Sequence, residues 1–171
     1  MTQKTTLIIA CIFSLPLTVW ASPERSNAPS IDHRTNEACP TVSHAGKAVA
    51  KADGFYEVAS SDEKPDEATA VIVGTPWITI QDIKEVELRR YELAALGVGF
   101  QTKFLAGLKL KKMTRYHVGQ YMALVLDNQV VSVSQIQAVL SKDFSVTKFA
   151  SNAQAKQVYS TIKCHIQAED V

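Results

Sequence analysis

Two short runs of strand-forming residues, separated by only two polar residues, restrict the fold of this chain more than any other feature. Met122–Leu126 and Val130–Val133 are aliphatic and rich in β-branched residues, a composition that favours β-strands. Asp127 and Asn128 lie between the two runs, and Asn adopts the positive φ of a tight turn at low cost. The sequence therefore predicts a β-hairpin here.

The residues after the hairpin predict a short helix, a further strand and a long final helix. Ser134–Ser141 has apolar residues at helical spacing, and Phe144–Phe149 alternates as a strand does. Ser151–Gln154 has the form of a helix capping box. In the residues that follow, apolar side chains recur at helical spacing and form a stripe of Ala155, Val158, Tyr159, Ile162 and Ile166.

The first half of the chain predicts further strands and one more helix. The strands are Phe55–Val58, Ala70–Val73 and Leu96–Phe104. The second of them is expected to end at Gly74, before the alternating apolar segment Trp77–Ile83 and a turn at Asp82. Lys84–Leu93 is compatible with either a strand or a helix. A short helix is expected from Gly107 to about Tyr116.

These elements mix without the regular strand–helix alternation of a parallel sheet. The predicted class is therefore α+β, with a mainly antiparallel sheet and helices packed on one face. The sequence contains no internal repeats and no low-complexity tracts.

The N-terminus has the pattern of a secretory signal. Lys4 precedes an apolar run from Leu7 to Trp20, which is too short to span a bilayer and is interrupted by Pro16. Residues 1–21 are thus predicted to be a cleaved signal peptide. Residues 22–50 are predicted to be a mobile or partly ordered segment, and residues 51–171 the folded domain. A lipid anchor at Cys11 is the alternative, but the apolar run continues well past that cysteine.

The charge balance narrows the expected partners. The whole chain carries 18 Lys and Arg against 17 Asp and Glu, and removal of the signal takes away only Lys4, which leaves a neutral chain. A neutral chain argues against nucleic acid or an anionic membrane surface as partner, since both require clustered positive charge. No later segment is apolar enough to cross a membrane. The expected location is periplasmic or secreted, with no integral membrane segment.

Two cysteines remain after removal of the signal, Cys39 and Cys164. In an oxidising compartment such a distant pair usually forms a disulfide. Cys164 lies opposite the apolar stripe of the final helix, where an overlying N-terminal segment can reach it. The alternative is a metal site made of Cys39, His44, Cys164 and His165, whose spacing matches no common zinc pattern.

The motifs from Trp77 to Tyr159 resemble, in order and spacing, the head subdomain of the first periplasmic domain of SecD. Trp77–Ile83 is similar to the family's "T-x-x-D-I" segment, and Ala123–Asp127 to its "A-i-v-L-D" strand. Phe100 and Thr102 match the family's extended strand. Its "F-x-x-x-T-x-x-x-x-G" helix is matched by Leu110, Met113, Thr114 and Gly119, and its later segments by Val130–Ser132, Ile136 and Phe144–Phe149.

SecD is a membrane subunit that assists protein export, so the resemblance implies this fold and a capacity to contact polypeptide. The chain departs from the family at Asn128, where a glycine is usual, and at Ser134, where a proline is usual. It also has no bundle of membrane helices, so proton-driven movement of the SecD kind is not expected. What the resemblance implies is limited to the fold and to polypeptide contact.

No catalytic pattern is evident in the sequence. The four histidines fit no triad or metalloprotease spacing; they are His33, His44, His117 and His165. His117 is expected to be a hydrogen-bonded residue at the edge of the core. Asp127 is expected to have a structural role in its turn, and Gly97-x-Gly99 is not followed by the helix of a phosphate-binding loop. We therefore expect neither an enzyme nor a cofactor.

The leading hypothesis is a non-enzymatic protein-binding module that contacts exported polypeptide, by strand addition or in an apolar groove. The alternative is an immunity or inhibitor protein that neutralises one secreted toxin or enzyme, and a third reading is a structural component of the envelope. Exposed aromatic residues are the natural anchors for a protein partner. By residue type, the candidates are Trp77, Tyr91, Tyr116 and Tyr121.

Overall fold

The structure is a computed structural model that describes residues 39–42, 46–60, 63–91 and 94–169. The predicted signal peptide, Cys11, residues 22–38, His33 and His44 lie outside the described residues. No helix among the described residues has both the length and the apolar character needed to cross a bilayer.

Seven strands and two α-helices make up the described domain. The strands are β1 Gly54–Val58, β2 Ile72–Thr79, β3 Ile83–Arg90, β4 Leu96–Thr102, β5 Tyr121–Leu126, β6 Gln129–Gln135 and β7 Asp143–Val146. The helices are α1 Phe104–Thr114 and α2 Asn152–Glu169, and a 3₁₀ turn spans Ile80–Asp82 between β2 and β3.

The strands form two antiparallel sheets, which confirms the predicted α+β class. The first has the order β2-β1-β5-β6 and the second the order β3-β4-β7. The expectation of one sheet is therefore refined to two. Helix α2 packs against β3 and β4, and α1 packs against β2.

The predicted hairpin is confirmed as β5 and β6. Asp127 and Asn128 have φ values of 50° and 60°, the left-handed conformations that a two-residue hairpin turn requires. The predicted helix at Ser134–Ser141 is wrong. Strand β6 continues to Gln135, and the backbone N–H of Ile136 donates to the carbonyl of Gln120, so the first part of this segment prolongs the strand pairing.

The expected strand end at Gly74 is also wrong, because β2 passes through it. Gly74 has a φ of 64°, and the register against β1 shifts between Phe55 and Glu57. The partners of those two residues are Ile78 and Val73, so the glycine and Pro76 lie in a bulge rather than at a strand end.

The structure settles two further boundaries. The segment that the sequence left open is strand β3, paired along its length with β4. Strand β4 ends at Thr102, and Phe104 begins helix α1 instead of closing the strand. The predicted start of α1 at Gly107 is therefore three residues late.

Three phenylalanine rings join the two sheets. Phe55 of β1 contacts Phe100 of β4 and Phe144 of β7 edge-on, with centroid distances of 5.1 and 5.2 Å. The rings of Phe100 and Phe144 stack at 5.1 Å. All three side chains are buried in the main hydrophobic core, so the two sheets share one interior.

Helix α2 closes this interior with its predicted apolar stripe. Ala155, Val158 and Ile162 are fully buried, and Tyr159 and Ile166 pack on the core from its edge. The capping residues act nearly as expected. The hydroxyl of Ser151 accepts the N–H of Gln154, whereas the Gln154 side chain accepts from Ala150, one residue before the expected position.

A four-residue segment, Cys39–Val42, lies along the outer side of α2 and is called the strap. Cys39 is joined to Cys164 by the predicted disulfide. The carbonyls of the next two residues accept hydrogen bonds from helix side chains, Pro40 from Thr161 at 2.6 Å and Thr41 from Gln157 at 2.8 Å. The side chain of Val42 is buried in the main core. The strap thus ties the start of the described domain to its last helix.

Removal of the disulfide should destabilise the domain. The bridge closes a loop of 125 residues, and in the chain-entropy model such a loop contributes about 4 to 5 kcal/mol. We expect the double variant Cys39→Ser/Cys164→Ser to lose about 2 to 5 kcal/mol of unfolding free energy in urea titration. Wild type unfolded in reducing agent should show the same loss, and exposed Lys156→Ala should show none. A double variant as stable as wild type would contradict the structural role of the bridge.

Two carboxylates anchor the hairpin turn beneath the strap. The N–H of Val42 donates to Oδ2 of Asp127 at 2.8 Å, and the N–H of Asp127 donates to Oδ1 of Asp53 at 2.9 Å. The structural role expected for Asp127 is therefore confirmed, with Val42 as its backbone partner. Burial is the main cause that raises the pKa of Asp53, and the nearby charge of Asp127 raises it further.

The raised pKa of Asp53 makes stability depend on pH with a definite sign. An acid whose pKa is higher in the folded chain binds its proton more tightly there. Protonation of such an acid therefore stabilises the folded state at low pH, and this stabilisation is lost as the pH rises through the raised pKa. Asp53→Asn keeps an oxygen that can accept the Asp127 N–H. We expect it to be more stable than wild type at pH 7, by no more than about 1 kcal/mol because the carboxyl is partly exposed.

The measurement is unfolding in urea at pH 4 and at pH 7, where the gain from Asp53→Asn should be larger at pH 7. Asp66→Asn is the matched control, because hydrogen bonds from Thr69 lower the pKa of Asp66. Its carboxylate contributes at neutral pH, so this substitution should shift stability in the opposite direction. A loss of stability in Asp53→Asn at pH 7 would show that the expected sign is wrong.

Candidate functional site

The four aromatic residues singled out as anchors lie in three different places. Trp77 is only 3% exposed and its ring lies 5.0 Å from that of His117, so Trp77 belongs to the core and does not present its ring to a partner. Tyr116 is exposed just after helix α1. Tyr91 and Tyr121 line the same surface cleft.

That cleft lies where the two sheets meet and has a volume of about 410 Å³; it is called the inter-sheet cleft. One wall comes from the end of β6, with Ser134 and Gln135, and another from β7, with Ser145 and Val146. Core side chains reach its floor, among them Met122, Ile136 and Leu140. Its lining therefore combines an apolar floor with polar side chains, Lys64 and Lys148 among them, and with backbone from two strands.

Both strands that line the cleft are at the edge of their sheets among the described residues. The first part of the outer edge of β6 is covered, because Lys47 accepts a hydrogen bond from Val130 and Ala48 pairs with Gln129. The part at Ser134 and Gln135 faces the cleft instead. A sheet edge next to an apolar groove is the arrangement that accepts an added strand.

Gly97 of β4 positions Tyr91 at the cleft. A Cβ atom at this position would lie 2.7 Å from Cε2 of Tyr91 and 2.7 Å from the carbonyl oxygen of Val146. The absent side chain thus lets the tyrosine ring lie directly on β4 beside β7. The N–H of Tyr91 also donates to the carbonyl of Ala95 at 2.9 Å, so the residue after β3 is bonded to the residue before β4.

Gly99 has the same function for the neighbouring side chain. A Cβ there would lie 2.5 Å from Nε of Arg89, so the arginine crosses β4 at this glycine. Its Nη1 donates to the Ser145 hydroxyl at 2.8 Å, and its hydrogen bond and ion pair with Glu87 raise the pKa of Arg89. Sequence reasoning used both glycines to favour a strand over a helix and to exclude a phosphate-binding loop. It missed their role here, although small residues at alternate strand positions signal a close approach.

The described residues show no grouping suited to metal binding. The alternative metal site is wrong because Cys39 and Cys164 are bonded to each other. His117 has the structural role expected of it. Its Nδ1 donates to the carbonyl of Met113 at 2.6 Å, and its Nε2 lies 3.6 Å from Glu57.

Comparison with known proteins identifies one family. The family model for the SecDF P1 head subdomain matches residues 56–164, which is more than half of the chain. No curated protein gives a significant match.

Two solved structures are similar over part of the chain. One is described as a membrane component SecDF that enhances protein export; it is 20% identical, with a TM-score of 0.46, and the match covers 56% of this chain and 42% of that one. The other is SecDF, a translocon-associated membrane protein from Thermus thermophilus; it is 18% identical, with a TM-score of 0.47, and the match covers 56% and 13%. This chain thus spans less than half the length of either structure.

Substitution of Gly97 by alanine should disturb the cleft and destabilise the domain. The added methyl group meets both the Tyr91 ring and the backbone of Val146, and overpacking of this kind costs about 1 to 3 kcal/mol. Urea unfolding should show this loss for Gly97→Ala. In the background of Tyr91→Ala the loss should be smaller, because one of the two colliding groups is gone. Equal losses in both backgrounds would mean that the glycine does not accommodate the ring.

Proposed function

Because the chain belongs to the SecDF P1 head subdomain family, we propose that it is a non-enzymatic periplasmic module that binds exported polypeptide. The inter-sheet cleft is the proposed binding site. The observation that carries this proposal is that β6 and β7, which are edge strands among the described residues, meet at a groove with an apolar floor, flanked by Tyr91 and Tyr121.

An extended polypeptide segment fits the chemistry of the cleft. The strand edges can supply main-chain hydrogen bonds, which are independent of the sequence of the partner. The apolar floor at Met122, Ile136 and Leu140 can receive alternate side chains of such a segment. Recognition of this kind suits many unfolded clients, whereas a folded toxin or enzyme would require one complementary surface.

Tyrosine side chains are suited to the proposed contact. They provide a large apolar surface with few rotatable bonds, and they are enriched among residues that dominate binding energy. Tyr91 is partly exposed and rests on β4, while Tyr121 is half-buried at the start of β5. Both rings therefore lose little freedom when a partner binds.

The test measures binding of the disulfide-bonded protein to a fluorescently labelled unfolded chain, reduced and carboxymethylated α-lactalbumin, by anisotropy. We expect a dissociation constant in the micromolar range, roughly −8 kcal/mol, and no binding to native α-lactalbumin. Tyr91→Ser and Tyr121→Ser should each weaken binding about tenfold, a change of about 1.4 kcal/mol. Tyr116→Ser is the matched control, since Tyr116 is outside the cleft, and it should bind as wild type does.

Two results would refute the proposal. One is that the protein is folded, as judged by circular dichroism, but does not bind the unfolded chain. The other is an equal loss of affinity in the Tyr116→Ser control. Recovery of one folded partner in stoichiometric amount, by crosslinking in cells, would support the immunity or inhibitor alternative instead.

A further inference from the structure

Helix α1 exposes apolar side chains to an unusual degree. Its outward face presents Phe104, Leu105 and Leu108, which are 71%, 76% and 52% exposed, and Tyr116 follows at 75%. The opposite face of the helix is buried at Ala106, Gly107, Leu110 and Thr114. The outward apolar residues are therefore additional to those that hold the helix in the domain.

Further exposed apolar residues lie beside this helix. Val118 follows it in the chain, and Val139 lies next to Leu140, whose N–H donates to the hydroxyl of Thr114 in α1 at 2.9 Å. Most of the large apolar side chains exposed among the described residues are in this one region. Single exposed apolar residues are ordinary, but a cluster marks an interaction surface.

The chain segments that form this region carry only positive charge, with Glu57 of β1 lying beside them at His117. Residues 103–126 contain no Asp or Glu, and residues 136–142, which pack beside the helix, contain none either. The exposed cations in these segments are Lys103, Lys109, Lys111, Lys112, Arg115 and Lys142. We call the exposed residues of α1 and its neighbours, Phe104, Leu105, Leu108 and Tyr116 with these cations, the basic-apolar face.

We propose that the basic-apolar face binds the surface of an anionic phospholipid membrane. Aromatic and leucine side chains that insert at the headgroup boundary, surrounded by Lys and Arg that contact the headgroups, are the chemistry of a helix that lies in the membrane interface. Each Lys or Arg held near an anionic membrane strengthens binding about fivefold. This surface is separate from the inter-sheet cleft, so the inference does not depend on the proposed function.

The shape of the face favours a membrane over an acidic protein. The apolar side chains stand on the outward side of the helix, and the hollow beside them, lined by Leu108, Lys111 and Tyr116, is only about 260 Å³. An amphipathic peptide helix is commonly bound in an apolar groove, and this hollow is too small to hold one. A lipid surface needs no complementary groove, because it deforms around the inserted side chains.

The chain without its predicted signal is neutral overall, and this argued against a membrane partner. That argument does not hold for the basic-apolar face, whose local charge is positive. The acidic residues that balance the charge lie outside the segments that form this face, with Asp143 directly after Lys142, and none is on α1. Electrostatic attraction acts over about one Debye length, roughly 8 to 10 Å at physiological ionic strength. The local charge of the basic-apolar face therefore governs its approach to a membrane.

The test is flotation of the disulfide-bonded protein with vesicles. We expect binding to vesicles of phosphatidylcholine with about 30% phosphatidylglycerol, weakening as salt rises, and no binding to pure phosphatidylcholine. Phe104→Ser/Leu105→Ser/Leu108→Ser and, separately, Lys109→Gln/Lys111→Gln/Lys112→Gln should each reduce the partition coefficient by at least about tenfold. Lys47→Gln/Lys156→Gln/Lys163→Gln removes the same charge elsewhere and should leave binding within about twofold of wild type.

Each variant should unfold at the wild-type temperature, because the substituted side chains are exposed. The cleft variant Tyr91→Ser should still float with anionic vesicles, which separates this inference from the proposed function. Absence of flotation with phosphatidylglycerol, equal flotation with pure phosphatidylcholine, or equal loss in the charge control would each overturn the proposal. Binding to polyglutamate without binding to vesicles would assign the face to an acidic protein and would also overturn it.

Discussion

The contact between Phe55 and the pair Phe100 and Phe144 is the interaction on which the rest of the structure depends. It joins a side chain of the four-stranded sheet to two side chains of the three-stranded one. Aromatic pairs of this geometry stabilise by about 0.5 to 1.5 kcal/mol beyond their buried area. Two small sheets meet there instead of continuing as one. Among the described residues β6 and β7 are edge strands, and their ends line the cleft.

The strap and helix α2 provide the closure that such an arrangement requires. Neither sheet is large enough to bury its apolar face alone, and α2 covers β3 and β4 with its stripe. The disulfide and the hydrogen bonds from Thr161 and Gln157 hold the strap on the outer side of that helix. These contacts fasten the fold on the side of α2, whereas in the part of the chain that the structure describes no further strand pairs with β6 or β7 at the cleft.

The sequence predicted the parts of the fold that follow from local rules. The turn at Asp127 and Asn128 and the stripe of α2 depend on residue type and spacing alone. The pairing of Cys39 with Cys164 is not local, but it followed from the predicted signal, whose removal leaves only these two cysteines. The strand through Gly74 and the extended backbone after Ser134 did not follow, because each is decided by pairing with distant residues. The cleft was missed for the same reason: Tyr91 and Tyr121 are 30 positions apart in the sequence, and only the meeting of the sheets brings them together.

The distribution of charge shows how a whole-chain average can conceal a surface. Residues 93–168 contain nine Lys or Arg and only two Asp or Glu, whereas the earlier part of the chain holds most of the acids. The imbalance was visible in the sequence, but its meaning depends on which cations share a face. Helix α1 and its neighbours hold six of these nine cations beside exposed Phe and Leu residues. Such exposed apolar residues would weaken the domain's solubility if no partner covered them. The buried side chains of Leu110 and Thr114 already hold helix α1 in the domain, so folding alone does not explain the apolar residues on its outward side. The basic-apolar face is therefore best understood as an interaction surface.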